Sequence, residues 1–324
     1  MKKNINGIVV FIIVFFVGVI IGISNTKYFS ICRSNLGYIN KEFRCDNKKI
    51  IKKYGYVEFK EKLKLFINSK IANKEALEVS FYFRDLEEGP TLGINEHALF
   101  SPASLFKVPY LVAYLKLAEE NPEILNTKLG FRIEDEDPNK GQTFSPAEIA
   151  QENTPYSIDE LLKKMIIYSD NRSLRVLADY LNQISSAKNF IYEISYNMGI
   201  ISRNGTANEY VTVKSYASLF TLLYNVSFLD REMSEKALSL LAKTDFKNGI
   251  VSGVPSEISV AHKFGERSYA NENTKQLHDC GIVYYPSNPY IICVMARGND
   301  FNKLAEVIGS MSKMLYEEVD SRKL

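Results

Sequence analysis

Strand-forming segments stand at both ends of the folded part of this chain, and helix-forming segments fill the middle. Residues 77–83 alternate apolar and polar side chains in the strand period, Glu88-Gly89-Pro90 supplies a turn, and residues 91–94 complete a hairpin. From 105 to 243 the apolar spacing is helical, over 105–119, 158–168, 172–183, 186–197, 213–225 and 233–243. Strand signals return at 258–262, 280–285 and 290–295, the last two joined by Pro286-Ser287-Asn288-Pro289. Helices are predicted before the first strand, at 56–72, and after the last, at 302–319, and Ser157 with Glu160 spells a capping box ahead of the 158–168 helix. A sheet whose strands come from opposite ends of a domain has to be assembled over the helices between them. The fold class is therefore α+β: one antiparallel sheet with an inserted all-helical lobe, and a cleft between lobe and sheet as the natural site.

The chain has 324 residues, of which 46% are hydrophobic, enough for one full core plus an appendage. The appendage is at the N-terminus. Met1-Lys2-Lys3 precedes an unbroken apolar run over residues 8–23, and the run ends in Ser24-Asn25-Thr26-Lys27 without an A-x-A-like cleavage site. This predicts an uncleaved, single-pass membrane anchor over 1–26, a polar stalk over 27–50 and a catalytic domain over 51–324. Lys2 and Lys3 place the N-terminus inside and the domain outside the cell membrane. Cys32 and Cys45 are close enough in sequence to bridge, as are Cys280 and Cys293 on successive strand-like runs, although free thiols fit as well. The balance of 40 basic and 38 acidic residues offers no basic face and argues against nucleic acid as a partner. No metal-ligand spacing is present, and the scattered His97, His262 and His278 do not suggest a histidine-based triad.

Three short motifs carry chemistry. Ser104-Leu105-Phe106-Lys107 is an S-x-x-K match, and so are runs beginning at Ser24, Ser185 and Ser310. Ser104 differs in opening a strongly apolar helix. Its hydroxyl and the Lys107 amine then share one face, one turn apart. A helix N-terminus disfavours a cation, so Lys107 can act as a neutral base towards Ser104, and the free N–H groups there can serve an oxyanion. Ser169-Asp170-Asn171 falls between two predicted helices. Ser169 can relay a proton, Asn171 can hold the lysine and a substrate carbonyl through its amide, and Asp170 can brace the loop. Lys263-Phe264-Gly265 ends a strand, where a glycine lets a substrate backbone approach. Lys263 offers a positive charge to a carboxylate, and the Glu266 N–H can complete an oxyanion hole with that of Ser104.

In order and approximate spacing these motifs resemble the S-x-x-K, S-D-N and K-T-G set of class A β-lactamases and penicillin-binding proteins. The resemblance extends over residues 56–319, because the hairpin, helical lobe, terminal strands and last helix follow the same layout. It implies a β-lactamase-like fold and an acyl-Ser104 intermediate formed from a β-lactam or a D-Ala-D-Ala stem peptide of peptidoglycan. No metal or organic cofactor is implied. Two departures stand out. The E-x-x-L-N segment that carries the deacylating glutamate of class A enzymes is absent, and the short stretch between Ile200 and Val211 offers only Glu209. Phe264 stands where the family places Thr or Ser to bind a substrate carboxylate, a loss of roughly 1.5 to 3 kcal/mol of binding. A D,D-peptidase-like hydrolase fits these departures best. A true β-lactamase using Glu209 and a non-catalytic domain that senses cell-wall fragments are the alternatives.

Overall fold

The computed structural model describes residues 37–40 and 55–322, except 88, 133–135, 185–189, 203, 270–272 and 287. The 1–26 anchor and most of the 27–50 stalk lie outside the described residues. Among those described, no helix is long and apolar enough to cross a membrane. One part of the predicted stalk is described. Tyr38–Asn40 belongs to the same compact unit as residues 55–322, with Ile39 fully buried, the Tyr38 N–H donating to Glu235 at 3.0 Å and the Tyr284 hydroxyl donating to the Tyr38 carbonyl at 2.9 Å. A stalk read from polar composition thus contains a three-residue docking point, set by the single apolar side chain of Ile39.

The sheet is five-stranded and antiparallel, in the order β2-β1-β7-β6-β5. The hairpin β1 (Glu78–Asp85) and β2 (Thr91–Ile94) meets β7 (Tyr290–Gly298), which continues through β6 (Lys275–Val283) to the edge strand β5 (Val260–Ser268). A two-stranded ladder, β3 (Lys128–Leu129) with β4 (Tyr156–Ser157), lies in the lobe and has no signal in the sequence. Helices α1 (Val57–Ala72) and α8 (Phe301–Asp320) share one hydrophobic core with the strands. The lobe contains α2 (Lys107–Glu120), α3 (Ile158–Ile167), α4 (Asn171–Ile184), α5 (Phe190–Asn197), α6 (Val213–Tyr224) and α7 (Arg231–Leu241). The capping box that opens α3 is formed: the Glu160 N–H donates to Ser157 Oγ, and the Ser157 N–H to the Glu160 carboxylate. A second one, Thr212 with Ser215, opens α6.

The terminal strands are longer than their apolar runs. β5 continues six residues past His262, through Lys263-Phe264-Gly265-Glu266-Arg267 to Ser268, and β6 starts at Lys275. Lys263, Gln276, His278 and Asp279 are all fully buried, so polarity in this part of the sheet marks a buried site rather than solvent. His262 Nδ1 and Asp279 Oδ1, 2.8 Å apart and with no exposed surface, form one such internal pair. Cys280 and Cys293 are register partners on β6 and β7 and are joined as a disulfide.

A 3₁₀ turn, Ile250–Gly253, leads from the lobe to β5 and rests on α8. A Cβ at Gly253 would stand 2.3 Å from the Gly309 carbonyl oxygen and 2.5 Å from the Lys313 nitrogen, both backbone atoms that cannot turn aside. Gly253→Ala is therefore expected to destabilise the fold by about 1 to 3 kcal/mol, as overpacking does. Urea denaturation of the two proteins measures this directly, and an unchanged midpoint would contradict the close contact.

Candidate active site

Ser104 lies in a 3₁₀ turn, Ala103–Phe106, and Lys107 is the first residue of α2. The helix predicted from 105 thus begins as a tighter turn, and Ala103 enters it with φ +45°, a left-handed conformation rare outside glycine. The surroundings hold the turn from several sides. Tyr216 of α6 donates its hydroxyl to the Leu105 carbonyl at 2.8 Å. The Ser101 N–H donates to Gln276 Oε1 at 3.1 Å, and His278 Nε2 lies 3.0 Å from the Ser101 carbonyl oxygen. A carbonyl can only accept, so this ring nitrogen carries the proton. Burial pulls the His278 pKa down to about 3, and the imidazole is neutral. Arg297 donates to the Leu99 carbonyl. None of these four residues belongs to a motif; Gln276 and His278 are marked only by their burial in an otherwise apolar sheet, while Tyr216 lies on α6 and Arg297 is partly exposed.

On the other side, β5 runs past the turn. A Cβ on Gly265 would be 3.1 Å from the nitrogens of both Ser104 and Leu105 and from the Pro102 carbonyl oxygen. Gly265 therefore faces the backbone of the candidate nucleophile directly, and a glycine lets strand and turn approach this closely.

Lys107 and Lys263 come from helix and sheet and meet on one residue of the lobe. Lys107 Nζ donates to the Ser169 carbonyl at 2.5 Å and lies 3.0 Å from Ser169 Oγ. Lys263 Nζ is also 3.0 Å from Ser169 Oγ and 3.1 Å from the Phe264 carbonyl oxygen. Ser169 and Lys263 have no exposed surface, and Lys107 has 1%. Burial lowers the Lys107 pKa to about 7 against the opposing pull of Asp170 and Glu266. Burial, and then the charge on Lys107, push Lys263 well below the usual lysine range. Ser169 itself has φ +60°. Asp170 braces it as expected, accepting from Asn139 Nδ2, the Ala150 N–H, the Arg172 N–H and both the N–H and hydroxyl of Ser173.

Asn171 is placed differently from expectation. Its amide donates to the Pro138 carbonyl at 2.9 Å, and its N–H to Asn139 Oδ1 at 2.7 Å. It fastens a loop to the lobe. The same loop reaches across to β5, where the Glu266 carboxylate accepts the N–H groups of Thr143 and Phe144, each at 3.1 Å. Burial raises the Glu266 pKa. Phe264 points into an aromatic group, stacked on Phe246 with centroids 4.2 Å apart and edge-on to Phe144 at 6.1 Å. Glu209, the one carboxylate of the short 200–211 stretch, is fully engaged. It accepts from Gln276 at 2.6 Å and Tyr269 at 3.1 Å and pairs with Arg297 at 2.9 Å. Burial would raise its pKa, but Arg297 and Gln276 hold it below the usual range.

A family model described as the β-lactamase enzyme family matches residues 59–319. The chain belongs to that family. A β-lactamase of Bacteroides uniformis is 22% identical over 248 residues, 71% of this chain and 83% of that protein. One of Streptomyces lavendulae is 22% identical over 242 residues, 71% of this chain and 77% of that protein. Among solved structures, PBP-A superposes with a TM-score of 0.67 at 19% identity, covering 84% of this chain and all of PBP-A. A class A β-lactamase of Bacteroides cellulosilyticus gives 0.65 at 22% identity, with 81% and 98% covered. The expected α+β architecture is the fold of these neighbours, and the protein is a serine hydrolase of the β-lactamase type.

The buried lysines predict a pH dependence of stability. Unfolded Lys107 keeps its proton up to about 10.5, whereas folded Lys107 releases it near 7. Between these values the unfolded chain binds more protons, so stability rises with pH. Urea unfolding of wild type should show this rise between pH 7 and 9, and Lys107→Met should have a shallower slope. Parallel profiles would mean that the ammonium is not suppressed in the fold.

Proposed function

We propose that the protein forms a covalent acyl-Ser104 intermediate with a β-lactam or a D-Ala-D-Ala-type peptide, and that it is D,D-peptidase-like rather than an efficient β-lactamase. The observation that carries the first half is the meeting of Lys107 and Lys263 on the Ser169 hydroxyl beside the Ser104 turn. Neutral Lys107 takes the Ser104 proton as Oγ attacks the carbonyl carbon. The N–H groups of Ser104 and Glu266 receive the oxyanion. Ser169, with Lys263 beside it, passes a proton to the departing nitrogen as the C–N bond breaks. The ester left on Ser104 is then resolved by water or by an amine.

The second half rests on Glu209. A carboxylate that is paired with Arg297 and accepts from Gln276 and Tyr269 is a poor general base for an attacking water. Slow deacylation of β-lactams is what this arrangement supports. A variant of PBP-A, one of the fold neighbours, is known as an acyl-enzyme complex with penicillin G.

The N-terminal residues belong to the same reading. Residues 1–26 anchor the protein in the cell membrane with the N-terminus inside, 27–50 form the stalk, and the catalytic domain faces the cell wall. The Cys280–Cys293 disulfide suits an oxidising compartment. Protease added to intact cells should remove the domain, and complete protection would put it inside.

Intact-protein mass spectrometry after incubation with benzylpenicillin tests the chemistry. Wild type should gain one penicilloyl group that persists for hours, and Ser104→Ala should gain none. An adduct that forms and clears with consumption of the drug would instead establish a β-lactamase. No adduct with any of several β-lactams would sink the acyl-enzyme reading altogether.

A further inference from the structure

Glu266 places a carboxylate of the protein's own beside the two buried lysines. Its charge favours the protonated forms of both Lys107 and Lys263. Its oxygens take the N–H groups of Thr143 and Phe144 at 3.1 Å each. The loop bearing these two residues is tied to the lobe at its other end. Asp137 pairs with Arg172 at 2.6 Å, Asn139 binds Asp170 and Asn171, and Gln142 Nε2 donates to the Ser169 carbonyl at 3.3 Å. Loop and carboxylate together bridge from Ser169 to β5 next to the Ser104 turn.

An incoming carboxylate would find Lys263 and two loop N–H groups already used, and Arg267, the exposed cation next along β5, set over the Tyr269 ring at 5.4 Å. Lys263 is engaged with Ser169 Oγ and the Phe264 carbonyl, with its ammonium 4.2 Å from the centre of the Phe264 ring. The two N–H groups of the loop are taken by Glu266. Position 264 offers a buried ring and no hydroxyl. A second carboxylate would also meet the Glu266 charge in a partly buried setting, where like charges repel more strongly than in water. An uncharged group meets none of these penalties.

We propose that Glu266 is a specificity-determining residue that makes the site select acyl donors without a free carboxylate beside the scissile bond. Such donors are amidated or esterified peptide termini, or a peptide bond within a longer chain. The inference rests on the acyl-Ser104 reading above and changes its preferred substrate: β-lactams and D-Ala-D-Ala termini, which carry that carboxylate, become the slower acyl donors.

The test compares initial rates of Ser104 acylation of the full-length protein by benzylpenicillin and by its methyl ester, followed by intact mass. Wild type should react faster with the ester. Glu266→Gln, which removes the charge and keeps a hydrogen-bond acceptor, should lower the ester-to-acid rate ratio by about tenfold. Glu266→Asp, which keeps the charge, should preserve the preference. Equal rates for acid and ester in wild type would overturn the proposal without recourse to any variant. A ratio unchanged in a Glu266→Gln protein that melts like wild type would overturn it equally. If neither compound labels Ser104 in any variant, the acyl-enzyme reading itself fails. Ser104-dependent labelling with no preference removes only the role of Glu266.

Discussion

Two lysines buried against one serine hydroxyl are the arrangement on which the rest of this molecule depends. Removing an ammonium group from water costs several kcal/mol, and here two lie 3.0 Å from the same oxygen, Ser169 Oγ. The protein relieves this by suppressing their charge and by placing Asp170, Glu266 and Asp279 near them. A lysine made neutral in this way can accept a proton, so the feature that makes the cluster costly to bury also makes it reactive. Its members come from α2, from the loop before α4 and from the edge strand β5. The cluster exists only when lobe and sheet are packed together. Folding and assembly of the site are one event.

Ser104 is positioned largely from behind. Tyr216 holds the carbonyl of Leu105, Gln276 and His278 hold both backbone groups of Ser101, and Arg297 reaches the carbonyl of Leu99. β5 then closes the front at Gly265, where a Cβ would crowd the Ser104 nitrogen. A turn with a left-handed alanine at its first residue stores strain of about 1 to 3 kcal/mol, which surroundings as rigid as these can sustain. Glu209 belongs to the rear support. It joins Gln276, Tyr269 and Arg297 into one network, and the demands of that network oppose use of the same carboxylate as a base.

The sheet and its inserted lobe were legible in the sequence because strand and helix periods change where the chain changes element, around residues 105 and 258. Boundaries were less legible where function intrudes. The apolar alternation of β5 stops at His262, yet the ladder continues to Ser268, because Lys263 is buried against Ser169 and the partly buried Glu266 takes two loop N–H groups, before Arg267 and Ser268 reach the surface. Ser104, Lys107, Ser169 and Lys263 could be picked out by motif and order. Asn171 was found in the same way, but its amide points to Pro138, since the loop that claims it has no local pattern to announce it. Gln276, His278 and Arg297 were invisible for a related reason. Each acts on backbone groups of residues 99–101, between 175 and 198 positions away in the chain.

The ring at position 264 and the carboxylate at 266 act on the same loop from the same strand. With a ring at 264, the chain gives up a donor for an anion and gains an aromatic group, Phe144, Phe246 and Phe264, that holds the loop against the sheet. With a carboxylate at 266, the same loop is fastened by two backbone N–H groups. The same carboxylate gives both lysines a counter-charge from within the protein. Together they place an aromatic group, a carboxylate and two lysines of the protein's own around the Ser104 turn, so that lobe, loop and edge strand hold one another.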